Sequence, residues 1–246
     1  GEIEKVKYKV FILPVSICLS DKEVEALSRY VASGGILVAD YGVGIYNQHG
    51  YKRNFKENKK LVELFGVQRE EDNKVLLSGT GIKIKDGLKE GLTDRNIQLR
   101  FGEIGLKITT AKVYGDTGEA QAPAIIINNF GKGKAILLNS VINDYAQVTL
   151  GGVGGELSEV KKGVFDINEQ VKGLAREIFN LGNLAPEIVI KTDKDVDLQS
   201  VVKTSVWKNE RIKYIGLLYE PENMNSKIKP EEAIESNLFF KDKGYL

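Results

Sequence analysis

The sequence predicts an α/β fold built on a parallel, doubly wound sheet, and three observations carry that prediction. Residues 8–40 read as one complete strand, helix and strand; a second strongly amphipathic helix lies at 166–178; and glycine-punctuated segments that alternate in apolar character fill the chain between them. Parallel strands joined through one helix form the βαβ unit, whose crossover is right-handed in nearly every case.

Val10 to Leu13 is a short apolar run closed by Pro14, the pattern of a strand buried on both faces. Ser20 and Glu23 have capping-box spacing, in which hydroxyl and carboxylate each satisfy a backbone N–H of the first helical turn. Val24, Leu27 and Val31 recur at helical spacing, with Asp21, Lys22, Glu25 and Arg29 between them. Gly34 and Gly35 end the helix, where a left-handed backbone costs glycine nothing, and Ile36 to Ala39 begins a second buried strand at once. Tyr41 to Asn58 is a polar and aromatic loop, and Lys60 to Phe65 a short helix closed by Gly66. From Val75 to Val113 the chain reads as antiparallel strands and hairpins, predicted as an insertion that decorates the sheet. Ile125 to Ile127 and Ala135 to Leu138 predict a hairpin whose second strand returns to the core. Gly151, Gly152, Gly154 and Gly155 mark 139–163 as a mobile loop. Asp166 and Glu169 repeat the cap spacing ahead of the stripe Val171, Leu174, Ala175 and Ile178. Gly182 and Pro186 mark a domain boundary. Beyond it, 187–191, 201–207, 212–220 and 237–246 are strand candidates with no helical pattern between them, the start of a β-sandwich.

At 246 residues, 42% of them hydrophobic, the chain is long enough for one large or two modest domains. Thirty-five basic against thirty-four acidic residues leave a net charge of +1, so no global field attracts nucleic acid or an anionic membrane. No apolar run reaches the roughly 18 residues a membrane span needs. Cys18 is alone, which excludes an intrachain disulfide and a cysteine zinc cage but is compatible with either a cytoplasmic or a secreted protein. The chain opens on Gly1 and enters a strand almost immediately, the pattern expected of a fragment of a longer polypeptide.

The motifs for chemistry are incomplete. Gly42 and Gly44 begin a G-x-G with no third glycine at dinucleotide spacing. GKGKA at 131–135 lacks the Gly-Lys-Ser/Thr ending of a phosphate loop and reads as a hairpin turn. Cysteine-dependent amide hydrolysis needs a cysteine on a sharp turn directly after a strand, with a histidine from a later strand. Tyr41 and Gly42 occupy that turn, the only cysteine is Cys18 in another loop, and the only histidine, His49, follows the second strand. Cys18 is therefore expected as a packed or tolerated small apolar residue. Acidic residues mostly alternate with lysine on outer faces, so no pair of catalytic carboxylates is predicted, and neither is a metal or cofactor. Asp40 stands at the carboxyl end of the second strand, the edge where α/β sheets place ligands; its simplest role is to accept hydrogen bonds from N–H groups of the following loop. Tyr41, Tyr46, Asn47, His49 and Arg53 share that loop, a mix suited to sugar hydroxyls or to a neighbouring subunit.

The stretch LPVSICLSDKEVEALSRYVASGGILVADYGVGIYNQHGYKRN, with the later LVELFGV and FGKGKAILLNSVINDY, resembles the trimerisation domain that follows the catalytic barrel in certain β-galactosidases and related glycoside hydrolase-like proteins. The resemblance implies a flavodoxin-like, class I glutamine amidotransferase-like domain over 1–184 that lacks its first strand and helix. An incomplete β-sandwich over 185–246 would follow, as in the small C-terminal domain of the same proteins. It further implies a noncatalytic module that packs against an upstream barrel holding both catalytic carboxylates, and against sister subunits in a trimer. Two alternatives stand beside it: a carbohydrate-binding module using the 41–53 loop, and a small-molecule amidotransferase- or hydrolase-like enzyme acting through Cys18 or Asp40.

Overall fold

The computed structural model describes residues 8–54, 59–70, 80–85, 95–99, 102–117, 122–142, 169–184, 188–191, 202–208, 213–219 and 237–240. The chain divides into two compact units, Gly1–Val148 with Ile167–Leu184, and Thr149–Asp166 with Ala185–Leu246. In chain order the first contains β1 (Val10–Leu13), α1 (Asp21–Ala32), β2 (Ile36–Ala39), α2 (Lys59–Phe65), β3 (Val67–Arg69), β4 (Thr80–Ile84), β5 (Arg95–Leu99), β6 (Leu106–Ile108), β7 (Lys112–Thr117), β8 (Pro123–Phe130), β9 (Gly133–Leu138) and α3 (Glu169–Leu181). The second contains β10 (Ile188–Lys191), β11 (Val202–Lys208), β12 (Lys213–Tyr219) and β13 (Asn237–Phe240).

A seven-stranded sheet with the order β1-β2-β9-β8-β7-β4-β5 forms the first unit's centre. β1 pairs parallel to β2, with Val10 opposite Ile36, and β2 pairs parallel to β9, with Ile36 opposite Lys134. Every other pairing in this sheet is antiparallel, so the sheet is mixed rather than parallel. The segment expected as a decoration instead supplies β4, β5 and β7 to the sheet itself. The reason lies in β8, whose run Ala124–Ile127 is buried on both faces and needs a ladder on each edge to satisfy its backbone. β9 fills one edge and β7 the other. β3 and β6 form a separate antiparallel ribbon, Val67 opposite Ile108; the sequence reading had not singled out β3.

Two apolar layers cover the sheet. Leu37 and Ala39 of β2 with Ala135 and Leu137 of β9 face Val24, Leu27, Tyr30 and Val31 of α1 and Leu61, Leu64 and Phe65 of α2. The alternate residues, Ile36, Val38, Ile136 and Leu138, face the other way, toward Ile178 of α3. Of the stripe expected on α3, the side chains of Val171 and Leu174 lie outside the described residues, as do the Asp166 cap and residues 143–163 of the loop before it.

α1 starts as its sequence dictates: the Ser20 hydroxyl accepts the Glu23 N–H at 3.2 Å, and the Glu23 carboxylate accepts the Ser20 N–H at 2.6 Å. Its end is set by close approach as much as by backbone freedom. Gly34 has a φ of 116°, but Gly35 is required because a Cβ there would sit 2.3 Å from the Tyr30 ring. That ring lies over the turn, and its hydroxyl donates to the carbonyls of Tyr8 at 3.0 Å and Ile36 at 3.3 Å. Gly133, the first residue of β9, is similarly fixed, since a Cβ would stand 2.2 Å from the carbonyl oxygens of Val31 and Gly35. In the second unit, β10 pairs antiparallel with β13 and β11 with β12.

Candidate functional site

Asp40 directly follows β2 and is buried. Its carboxylate accepts the N–H of Val15 at 2.6 Å and of Ile142 at 2.9 Å. It therefore ties the loop after β1 to the segment after β9, and not to the loop that follows it, from which the sequence led these donors to be expected: its carboxylate points back across the sheet edge, where two distant N–H groups lie closer. Val15 sits at φ 47°, a left-handed conformation that is strained for a β-branched residue, and the bond from Asp40 helps hold it there. Burial pushes the Asp40 carboxyl above the usual carboxylate range, against the opposing pull of the N–H groups of Ile142, Val15 and Asp40 itself.

Beneath the next turn lies a network that the sequence reading missed. Glu103 is buried and receives the Arg69 guanidinium as a fork, Nε to Oε2 at 2.6 Å and Nη2 to Oε1 at 3.0 Å. The same carboxylate accepts the Gly42 N–H at 3.3 Å. Asn139 completes the frame: its Oδ1 accepts the Glu103 N–H at 2.8 Å, and its Nδ2 donates to the carbonyls of Glu103 and Pro123 at 2.8 and 2.7 Å. Tyr41 is half-buried, with its backbone N–H donating to Ser140 at 3.3 Å; burial first, then the Glu103 charge, pushes its phenol up, with Arg69 opposing. One sequence signal was present, the polar Asn139 placed directly after an apolar strand as Asp40 is. Glu103 in FGEIG gave no periodic cue.

The remaining loop residues separate into struts and a tip. Tyr46 joins the loop after β1, its N–H donating to Ile17 at 2.9 Å while its carbonyl accepts from Leu19 at 3.0 Å, and it bridges antiparallel to Lys52. The Asn47 side chain accepts the N–H groups of His49 at 2.9 Å and Tyr51 at 3.0 Å, an Asx arrangement that closes a turn. His49 and Tyr51 stand at its tip, ring centroids 6.5 Å apart, and Tyr51 is 72% exposed. Tyr51 was not among the residues singled out from sequence. Arg53, one of the loop residues expected to suit a sugar or a neighbouring subunit, is buried: it pairs with Asp21 at 2.6 Å and donates to the Leu19 carbonyl, bracing the loop against the start of α1. A cleft of about 710 Å³ opens where this loop, α1 and the start of α2 meet.

Cys18 is exposed rather than packed; its backbone forms an isolated parallel bridge with Tyr46. The turn after β2 carries Tyr41 and Gly42 over the Glu103 carboxylate. Among the described residues, no group of three or more His, Cys, Asp and Glu side chains is placed to hold a metal, and no helix is long and apolar enough to cross a membrane.

A family model described as the β-galactosidase trimerisation domain matches residues 4–159. The chain is 24% identical over 143 residues to the β-galactosidase GanA of Bacillus subtilis (strain 168), an alignment that covers 57% of this chain and 20% of that protein. Among solved structures it resembles the β-galactosidase of Bacillus circulans sp. alkalophilus, with a TM-score of 0.62 and 18% identity over 87% of this chain and 27% of that one. It also resembles the cold-adapted β-galactosidase of Rahnella sp. R3, with a TM-score of 0.60 and 17% identity over 85% and 27%. The chain thus spans about a fifth to a quarter of the length of these relatives.

Proposed function

The chain belongs to the β-galactosidase trimerisation domain family, and from that premise we propose that it is the noncatalytic assembly module of a β-galactosidase-like glycoside hydrolase. It packs against a catalytic barrel of the same polypeptide and against sister subunits in a trimer. The match over residues 4–159 carries this reading. In finer detail the proposed fold is flavodoxin-like, of the glutamine amidotransferase type, over 1–184, followed by a partial β-sandwich over 185–246. The three parallel strands with helices on both faces support the first part, and the antiparallel pairs β10–β13 and β11–β12 support the second.

Within this reading the loop after β2 is an interface. Asp40, Tyr41, Tyr46, Asn47 and Arg53 shape it from within, and His49 with Tyr51 make the contact. An exposed aromatic held on a turn closed by a side chain loses little conformational freedom on docking, which favours association. The test is light scattering on the full-length polypeptide carrying His49→Ala and Tyr51→Ala together. The mass is expected to fall toward that of a monomer while the fold persists. Unchanged mass would refute the interface, and unchanged mass with lost binding of a soluble galactoside would favour a sugar-binding loop instead.

A further inference from the structure

We propose that the aromatic face of the β11–β12 ribbon, built on Trp207 and Tyr214, is a stacking platform for a galactopyranose ring of a β-galactoside. The choice of sugar rests on the reading of the parent polypeptide as a β-galactosidase-like hydrolase; the platform itself comes from the geometry of the ribbon.

β11 and β12 pair antiparallel, with Trp207 opposite Tyr214 and Ser205 opposite Gly216. Residues directly opposite each other share a face, and so do residues two positions along a strand, so these four stand on one side of the ribbon. Val206 and Ile215 are paired on the other side, β-branched and half-buried. At its middle the ribbon therefore draws an aliphatic pair inward, while Trp207 is 59% and Tyr214 54% exposed. Trp207 is the single tryptophan of the chain, and an indole left in water forgoes one of the largest burial contributions a side chain can make.

The indole does not stand free of the backbone. Its benzene end lies over Gly216, where a Cβ would come within 2.9 Å of Cζ3, 3.2 Å of Cη2 and 2.7 Å of Ser205 Oγ. A glycine leaves room for the ring to lie down along the ribbon. A ring held down offers breadth without depth, and its rotamer freedom is already lost before any ligand arrives. Protein hot spots use the opposite geometry, an aromatic inserted into a fully desolvated pocket. A flat ligand with one apolar side suits this surface better.

Galactopyranose is such a ligand. Its axial hydroxyl at C4 lies on one side of the ring and leaves the C–H groups of C3, C4 and C5 together on the other, and such slightly positive C–H groups are drawn to the negative face of an aromatic ring. Cross-strand partners hold their Cβ atoms about 5 Å apart, so Trp207 and Tyr214 together cover the footprint of a sugar ring. The hydroxyls of Tyr214 and Ser205 belong to the same face and supply donors and acceptors for the hydroxyls at the sugar's rim.

Affinity electrophoresis of the full-length polypeptide through gels containing a soluble β-galactan tests the proposal, with hydrolysis of a nitrophenyl β-galactoside measured on the same samples. Wild type is expected to be retarded, and Trp207→Ala and Tyr214→Ala each to weaken binding about tenfold with nitrophenyl galactoside turnover unchanged. Tyr214→Ala removes an exposed ring and keeps the test valid where Trp207→Ala, which empties the space over Gly216, loosens the ribbon. In this chain alone, where Trp207 is the sole tryptophan, emission is expected to shift to the blue with β-linked galactotetraose and not with cellotetraose. Equal retardation of wild type and Tyr214→Ala, with the nitrophenyl galactoside still hydrolysed, overturns the proposal and leaves the hydrolase reading standing. No hydrolysis by the wild type removes that reading, and the proposal with it. An equal response to cellotetraose overturns the proposal because the galacto face is then not what is recognised. A blue shift that grows with protein concentration in the absence of sugar overturns it too, because a second copy then covers the face.

Discussion

Removing the Glu103 charge would take from the Arg69 guanidinium, 4% exposed, the carboxylate that accepts its two-pronged fork. Glu103→Gln is therefore expected to destabilise the protein by about 3–5 kcal/mol in urea denaturation, whereas Arg69→Met with Glu103→Leu should recover much of the loss. Similar stability for Glu103→Gln and wild type would mean the pair is open to water. Asp40 behaves differently because burial raises its pKa. Between the unfolded value of about 3.9 and the higher folded value, the folded state binds more protons than the unfolded one. Its contribution to stability is thus fully present below the unfolded pKa and is lost as pH rises through the folded pKa. Asp40→Asn should flatten this part of the stability profile, at the cost of one acceptor for Val15 or Ile142. A variant whose pH profile parallels wild type across that window would assign the dependence to another group. Neither residue's burial was legible in sequence, since the partners come from segments far along the chain, such as Arg69, 34 residues before Glu103.

α1 was legible almost completely at the level of the element. Its cap, apolar stripe and terminating glycines act within a few residues, and these local rules hold before any tertiary contact forms. Leu27 is buried among the sheet and α2, so Leu27→Ala should cost about 2–5 kcal/mol by thermal or chemical unfolding. A midpoint that barely moved would place Leu27 on the wet face. Tyr30 escaped the stripe because its hydroxyl looks polar in sequence, and only the space above Gly35 turns it inward. The glycine-punctuated stretch illustrates the opposite case. Its alternation identified strands correctly, but alternation carries no information on which edge a strand joins.

The whole molecule carries the functional claim. The polypeptide consisting of this chain alone is expected neither to release ammonia from glutamine nor to cleave a galactoside. The turn after β2 presents Tyr41 and Gly42, and Cys18 lies exposed in a different loop. Glutamine turnover that disappears in Cys18→Ala would reverse this expectation. The candidate site was half legible: the carboxyl edge of the sheet and the loop that leaves it were correctly located from the β2 pattern. The division of labour within the loop was not, because Arg53 and Tyr51 are both amphipathic residues whose exposure depends on what they meet. Arg53 finds Asp21 and the Leu19 carbonyl and is buried; Tyr51 meets no such enclosure and faces solvent.

The helices, most of the strands and the parallel pairing of β1 with β2 follow from contiguous chain, because periodicity, capping and crossover handedness act within it. Contacts between distant segments place β9 beside β2, extend the same sheet with β7, β4 and β5, and lock Glu103, Arg69 and Asn139 together under the Tyr41 turn. Those outcomes depend on which distant segments satisfy a buried edge or a buried charge. That choice is made by the free energy of the assembled core, since an unpaired ladder or counterion inside it costs far more than one left in water.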